Sequence, residues 1–447
     1  MNSPNFKIGI IGGGPAGVAT AIKLKQYDFK VILFEASKYD QITVGEHLAA
    51  EAVHELKKLK VPESILRDHS IPCTEVQNAW GNSEIHYNEA IFNPFGESYI
   101  LSRPNFDSAL LQHCKEIGID VHLETRISKI EARTLGWKLS TNKEDTEVHF
   151  IIDASGRTSK FNFGAIVQRK KVQDSLIGIT KHLNSEHLQS IDRSHLLVES
   201  TSNGWWYTVQ IASGKLISTF MTDPKIFTQS KMSQNDFWND QLENSIHTKA
   251  RLDSFEQTND IFIQSAHSQI ATQIQGNTWL KVGDAAQSFD PLSSAGIIKG
   301  LKMGISAADA LHDFIQGDAN ALLTYEDKIR DQHKEYKEKR LAYYQQEHRW
   351  LHAPFWYQRI LFAKQILNFS ITPISRLTII DSNCKDKILF LNTQLPEINF
   401  ETLLQSIQLY PLAKDAITNY QKATHQKQMN PWLIYALESF KTIGIIE

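Results

Sequence analysis

The stretch IIGGGPAG, residues 10–17, constrains this chain more than any other. An apolar run, Lys7–Ile11, leads into it. Helical spacing follows over Pro15–Gln26, and a second apolar run fills residues 30–35. Strand, glycine turn, helix and parallel strand make one βαβ unit. Gly12, Gly14 and Gly17 have G-x-G-x-x-G spacing. The first glycine permits the tight turn, the second lets backbone approach a pyrophosphate, and the third lets helix pack on strand. Pro15 and Ala16 open the helix, whose N–H groups and dipole favour phosphate. Glu35 closes the second strand about 20 residues on, where a carboxylate accepts both ribose hydroxyls and repels a 2′-phosphate.

Two further strand-to-loop turns carry acids. In IIDASGRTSK, residues 151–160, a strand ends at Asp153 and Gly156 follows. In VGDAAQSFDPLSSAGIIKG, residues 282–300, Gly283 and Asp284 follow a strand, and Pro291, Ser294, Gly296 and Ile297 lead into a helix. An acid there can accept a hydrogen bond from a polyol, and the amides at the helix start suit negative charge. Gly300, Gly304 and Ala308 form a small-residue stripe, which predicts close packing against another element.

Between these motifs the pattern changes. Residues 45–59 and 105–117 have helical spacing, and residues 120–123, 136–140 and 148–153 read as strands. Residues 175–222 are β-rich and read as an antiparallel sheet. Helical spacing returns at 234–241 and, after Ser293, runs nearly to the end, broken by Pro354, Pro373, Pro396, Pro411 and Pro431. The expected organisation is an α/β, Rossmann-like FAD-binding fold assembled from residues 1–170 and 260–315. A β-rich substrate domain is inserted at 171–259, and a helical region covers 316–447.

Bulk properties exclude several classes. A net charge of −3 and no basic tract argue against nucleic acid and anionic membranes. No run of about 18 apolar residues predicts a membrane span. The three cysteines, Cys73, Cys114 and Cys384, are too scattered for a disulfide framework or a zinc site, which fits a reducing cytoplasm. No metal is expected.

The three turn motifs, in this order, resemble the flavoprotein hydroxylases of the p-hydroxybenzoate hydroxylase type (GR2). The resemblance implies noncovalent FAD. Gly12, Gly14 and Gly17 would hold its ADP half, and Asp153 and Gly156 would back the pyrophosphate. Gly283 and Asp284 would bind the ribityl chain. Arg103 matches a residue that commonly contacts the cofactor, and Ile127 matches a backbone contact to adenine. Pro291, Ser294, Gly296 and Ile297 would bind the cofactor, with Ser293–Ile297 at the edge of the isoalloxazine and the amides of that segment stabilising the reduced flavin.

Four stretches (VGEHL at 44–48, AWGNSE at 79–84 with ILSRPNFDSAL at 100–110, GDAAQSFDPLSSAGI at 283–297, and YYQQEHRWLHAPFW at 343–356) are similar to flavoproteins that mature tryptophylquinone cofactors. That resemblance implies a monooxygenase that hydroxylates a tryptophan in the precursor of a quinone-dependent oxidase or dehydrogenase, using reduced FAD and dioxygen. A flavin reductase or a nicotinamide would supply the electrons. Flavin-dependent tryptophan halogenases are relatives, but residues 73–81 lack the lysine that captures hypohalous acid, and Ser293 stands where a glutamate is expected.

Glu46 and His47 are the candidate catalytic bases, at the mouth of the 45–59 helix; the alternative is helix capping by Glu46 and a solvated His47. Trp205 and Trp206 are candidates for an aromatic substrate cavity, and equally for core. Arg349 and Trp350, with Tyr343, Tyr344, Trp356, Arg359 and Phe362, offer an aromatic and basic surface for a polypeptide. Two other readings remain: an FAD-dependent hydroxylase or halogenase of a free small aromatic, and a non-catalytic flavoprotein chaperone.

Overall fold

Four strands end side by side, and that alignment organises the molecule. Lys7–Ile11 pairs in parallel with Lys30–Phe34 on one side and Phe150–Asp153 on the other. Phe150–Asp153 pairs in parallel with Trp279–Lys281. Ile11, Phe34, Asp153 and Lys281 stand in register, so the three sequence motifs leave one edge of one sheet. Asp120–His122 and the short Gln275–Gly276 complete this six-stranded sheet. Side chains alternate between its faces. Ile10, Leu33 and Ile152 pack with the helices Pro15–Gln26 and Gly296–Ile315. Ile11, Ile32 and Ile151 pack against a three-stranded antiparallel sheet spanning Ile127–Arg133, Gly136–Thr141 and Thr146–Val148.

The chain is described from a computed structural model, over residues 6–39, 44–89, 93–163, 170–172, 174–184, 191, 194–256, 258, 260–351, 353–362, 376–379, 381, 384, 388, 399–424, 433, 436–437, 440–441 and 445–446. It divides into two compact units, Met1–Glu347 and His348–Glu447. Among the described residues, no helix is long and apolar enough to cross a membrane.

The second large sheet of the first unit extends further than the sequence suggests. Its strands at 177–222 are antiparallel, as expected, but Ser194–Thr201 continues in parallel with Ser70–Ala79. Ser98–Leu101 and His47–Leu48 follow. This nine-stranded sheet therefore takes strands from 47–101 and is not confined to residues 171–259. The polar, proline-containing SIPCTEVQNA carries little strand signal. The 45–59 reading is also corrected: residues 47–48 are strand, and the helix is Ala50–Lys58. Gly45, at φ +95°, turns the chain first. The helix Ala321–Gln345 belongs to the first unit, not with the C-terminal region.

In the second unit, Phe400–Leu409 and Ala413–Thr424 pack around a core that includes Phe400, Leu403, Ile417 and Tyr420. Pro354 opens a short helix and Pro411 falls between two helices, as expected. Pro373, Pro396 and Pro431 lie outside the described residues.

Candidate functional site

The glycine turn is packed shut on one side and open on the other. Gly12 has φ +108°, and a Cβ there would stand 2.4 Å from the Ala154 carbonyl oxygen. A Cβ on Gly17 would stand 2.0 Å from the Gly12 carbonyl oxygen, so helix and turn touch through backbone. A Cβ on Gly14 meets nothing within 4 Å. Gly14 caps the Pro15–Gln26 helix without a side-chain cap, and the first turn holds no acid. The N–H groups of Ala16 and Gly17, ahead of the first intrahelical bond from Val18 N to the Gly14 carbonyl at 3.0 Å, remain available to an anion. Glu35 stands beside the turn: its Oε2 accepts from Gly13 N at 2.7 Å and its Oε1 from Ser37 N at 2.7 Å.

Asp153 is a fully buried hub. It accepts from Lys281 Nζ at 2.7 Å and from the Ser155 and Ser159 hydroxyls at 2.6 Å. Burial alone would raise its carboxyl, but Lys281 and the hydroxyls outweigh that and hold it below the ordinary range. These bonds shape the loop that carries Gly156, where a Cβ again meets nothing within 4 Å. Arg157, next along, donates to the His267 and Phe289 carbonyls.

Gly283, at φ +58°, turns the third strand end so that Asp284 faces this loop. The Asp284 carboxylate meets Lys299 Nζ at 2.6 Å and the Arg157 guanidinium at 3.5 Å. Burial would raise it, but the two cations hold it low, so it stays an ionised acceptor. Burial lowers the Lys299 ammonium despite Asp284 beside it. Beyond, Pro291–Ser293 forms one tight turn, Ser294 adopts a left-handed conformation at φ +49°, and the Gly296 helix begins. Its first turn holds no acid, and Gly296 also faces open space. Ile297 is buried in the core. The small-residue stripe packs as expected: a Cβ on Gly304 would lie 2.5 Å from the Ala16 carbonyl oxygen, and Gly300 faces Ala16 N. Two helix N-termini thus converge at one sheet edge.

Open cradles at Gly14, Gly156 and Gly296, two uncapped helix starts, and acids beside the first and third turns gather at these strand ends, a set of groups that suits an extended dinucleotide with a polyol. Gly14 and Gly17 would meet its phosphates, Glu35 its ribose and Asp284 its polyol. Ile127 begins the first strand of the small sheet and is buried there. Arg103 is buried, pairs with Asp107 at 2.8 Å and donates to the Val44 and Gly45 carbonyls at 2.8 and 3.0 Å. It therefore holds the 44–45 turn. Arg157, Lys281 and Lys299 escaped sequence reading. Arg157 directly follows Gly156 and could have been found; the two lysines reach their acids only through the fold.

Glu46 and His47 do not open a helix. Glu46 is 2% exposed; its Oε2 accepts from Tyr207 Oη at 3.0 Å and its Oε1 has no hydrogen-bond partner among the described residues. Burial raises its carboxyl despite Tyr207 and Arg103 nearby. Neither ring nitrogen of His47 has a partner among the described residues, and burial lowers its pKa to about 4. His47 lines a cleft of about 350 Å³ with Cys73, Glu75 and Ser98.

Trp205 and Trp206 are interior, 1% and 0% exposed. Trp206 packs on Phe220 and Trp238, whereas Trp205 Nε1 donates to Tyr344 Oη at 3.2 Å. Neither presents a surface. Of the aromatic and basic residues near 343–362, Tyr344, Trp356 and Arg359 are also buried, at 0%, 0% and 3%. Tyr343 is exposed, the half-buried Arg349 stacks over Trp350 at 4.0 Å, and the Phe362 side chain lies outside the described residues. A second cavity, about 280 Å³, lies where the Gly296 helix meets the Ala321–Gln345 helix. Leu292, Ser293 and Ala295 form one wall; Phe289, Tyr336 and Met303 make it largely apolar.

The family model described as FAD binding domain matches residues 5–339. A protein of Marinomonas mediterranea, described as the FAD-dependent oxidoreductase LodB, is 29% identical over 362 residues, covering 79% of this chain and 96% of that protein. The solved structure of the peptidyl tryptophan dihydroxylase QhpG, described as essential for tryptophylquinone cofactor biogenesis, superposes with a TM-score of 0.66 at 19% identity, over 79% of this chain and 78% of that one. The myxobacterial chondrochloren halogenase CndH, an FAD-dependent halogenase, superposes with a TM-score of 0.72 at 18% identity, over 94% and 97%. The chain belongs to the FAD-binding domain family, and it is a flavin-dependent oxidoreductase with FAD as its cofactor.

Proposed function

We propose that this protein is an FAD-dependent monooxygenase that hydroxylates a tryptophan side chain of a partner polypeptide, the precursor of a tryptophylquinone enzyme. The observation that carries this reading is the cavity beside the Gly296 helix. Its volume of about 280 Å³ lies at the small end for ligand sites, enough for one aromatic side chain, and its surface is mostly apolar, with Phe289, Met303 and Tyr336 set among Lys299, Lys302, Lys339 and Arg340. The similarity to LodB and to a peptidyl tryptophan dihydroxylase points the same way.

When bound, reduced FAD with dioxygen supplies an electrophilic oxygen. The chain's own residues do the rest. The Ala295, Gly296 and Ile297 amides would face the isoalloxazine and favour its reduced, anionic form, whereas the Ser294 N–H is already given to the Pro291 carbonyl at 2.9 Å. Phe289, Tyr336 and Met303 seat the indole and exclude water. Glu46, buried against Tyr207 with one unpartnered oxygen and a raised carboxyl, does not line this cavity, so the proton that the ring loses leaves by another group or by water. The pair Arg349–Trp350 contributes to docking of the polypeptide. Electrons come from a flavin reductase or a nicotinamide that binds transiently.

The test is intact mass of the candidate precursor, expressed with and without this protein. One tryptophan gains oxygen only when the protein is present and air is admitted. Incubation with reduced flavin, bromide and a panel of indoles gives no brominated product; sustained bromination without oxygenation of the precursor overturns the reading in favour of a halogenase.

A further inference from the structure

The segment from Phe289 to Gly296 has two working faces. Gly296 opens onto free space, while Leu292, Ser293 and Ala295 wall the cavity. One buried side chain within it carries several of its ties to the fold. Asp290 is 2% exposed, and its Oδ1 accepts from Leu292 N at 3.0 Å, closing the tight turn. Among the described residues, its other hydrogen-bond partners come from the Ala321–Gln345 helix. Its Oδ2 accepts from Tyr344 Oη at 2.7 Å and from Arg340 Nε at 3.2 Å. Its N–H donates to Tyr336 Oη at 2.8 Å. Phe289 lies flat on the Tyr336 ring, with centroids 3.9 Å apart and planes within 4°. The grip is anchored in turn: Arg340 pairs with Asp174 at 2.9 Å, and Tyr336 Oη meets Ser268 Oγ at 2.5 Å.

Charge gives this arrangement a consequence. A buried carboxylate a few residues before a helix N-terminus sets its field against any anion at that terminus. Arg340, shared between Asp290 and Asp174, offsets part of that field, and the two tyrosine hydroxyls hold Asp290 and with it the backbone whose amides follow. We propose that Tyr336, Arg340 and Tyr344 are positioning residues for the flavin: by holding Asp290 and offsetting its charge they keep the 295–297 amides aimed at the isoalloxazine and bias the cofactor toward its reduced form. This rests on the reading that those amides face the flavin.

The test uses the full-length, FAD-loaded protein and needs no partner polypeptide. Tyr344→Phe removes one hydroxyl and keeps the ring. It retains FAD, but its preference for reduced over oxidised FAD falls about tenfold, a midpoint potential about 30 mV more negative for the two-electron couple. Amide exchange over residues 289–297 quickens in the FAD-free protein. Arg340→Met shifts the potential further, and Arg340→Lys restores part of it. If Arg340→Met fails to hold FAD, Tyr344→Phe and Tyr336→Phe, each lacking one hydroxyl, carry the measurement. Wild-type potential and wild-type exchange in both tyrosine variants overturn the inference. Gly296→Ala separates it from its premise, because a Cβ there enters open space. If Gly296→Ala alters FAD occupancy or potential while the tyrosine variants do not, the loop faces the flavin and the grip is refuted. If Gly296→Ala changes neither, the placement of the loop falls, and the inference with it.

Discussion

At the scale of single residues, the three motif glycines separate into two kinds. Gly14 faces open space and has ordinary backbone angles as a helix cap, whereas Gly17 is in backbone contact with Gly12. Gly14→Val therefore folds with near-normal thermal stability and purifies without FAD, measured as the absorbance ratio of flavin to protein. Gly17→Ala loses stability itself, by about 2–3 kcal/mol, because the methyl must displace backbone. Buried histidines make a second prediction. Burial lowers His47 and His333 to about 4 from an ordinary 6.5. Between those values the unfolded chain binds protons that the folded chain refuses, so stability rises with pH through that window and falls on acidification. His47→Gln flattens the slope, measured by urea unfolding at a series of pH values; an unchanged slope counts against a neutral His47 in the fold.

Elements meet through a few buried charges. Asp153 and Lys281 close adjacent parallel strands at 2.7 Å, with both side chains essentially inaccessible. Lys281→Met leaves a buried carboxylate uncompensated and costs about 3–5 kcal/mol, whereas Asp153→Asn with Lys281→Met recovers much of that. Denaturant midpoints of the two variants decide this; equal losses in both would show that the pair does not act as a unit. The strands, the Pro15–Gln26 helix and the close packing of the 296–315 helix were legible because local signals agree there: apolar runs, a glycine turn and a small-residue stripe; that its partner is the Pro15–Gln26 helix was not. The 45–59 stretch was not. Its apolar spacing suits a helix, yet Gly45 turns the chain and His47–Leu48 finds a sheet edge at Tyr99–Ile100. Pairing with a strand about 50 residues away lies outside any local pattern.

For the whole molecule, acid precipitation tests the noncovalent attachment of FAD: the chromophore stays in the supernatant, and a yellow washed pellet contradicts that expectation. Docking is tested by Arg349→Glu, because Arg349 is only half-buried whereas Arg359 lies inside. The variant keeps wild-type FAD content and modifies its partner at least several-fold more slowly. Wild-type modification rates would remove Arg349 from the docking surface.

What the sequence by itself determined is the glycine turn of the βαβ unit. A βαβ turn is local: glycine spacing, helix start and strand-end acid lie within about 25 residues, and the physics that binds a pyrophosphate acts over the same span. The two later turns were legible for the same reason, each being a strand end with its own acid and small residues. The tertiary structure decided which charges answer one another. Lys281 for Asp153, Lys299 for Asp284 and Arg340 for Asp290 are pairs separated by 128, 15 and 50 positions. It also decided that Trp205 and Trp206 are core and that Glu46 is buried with one oxygen unpartnered. Burial is a property of the assembled sheets, because whether a side chain meets water depends on strands and helices that arrive from elsewhere in the chain.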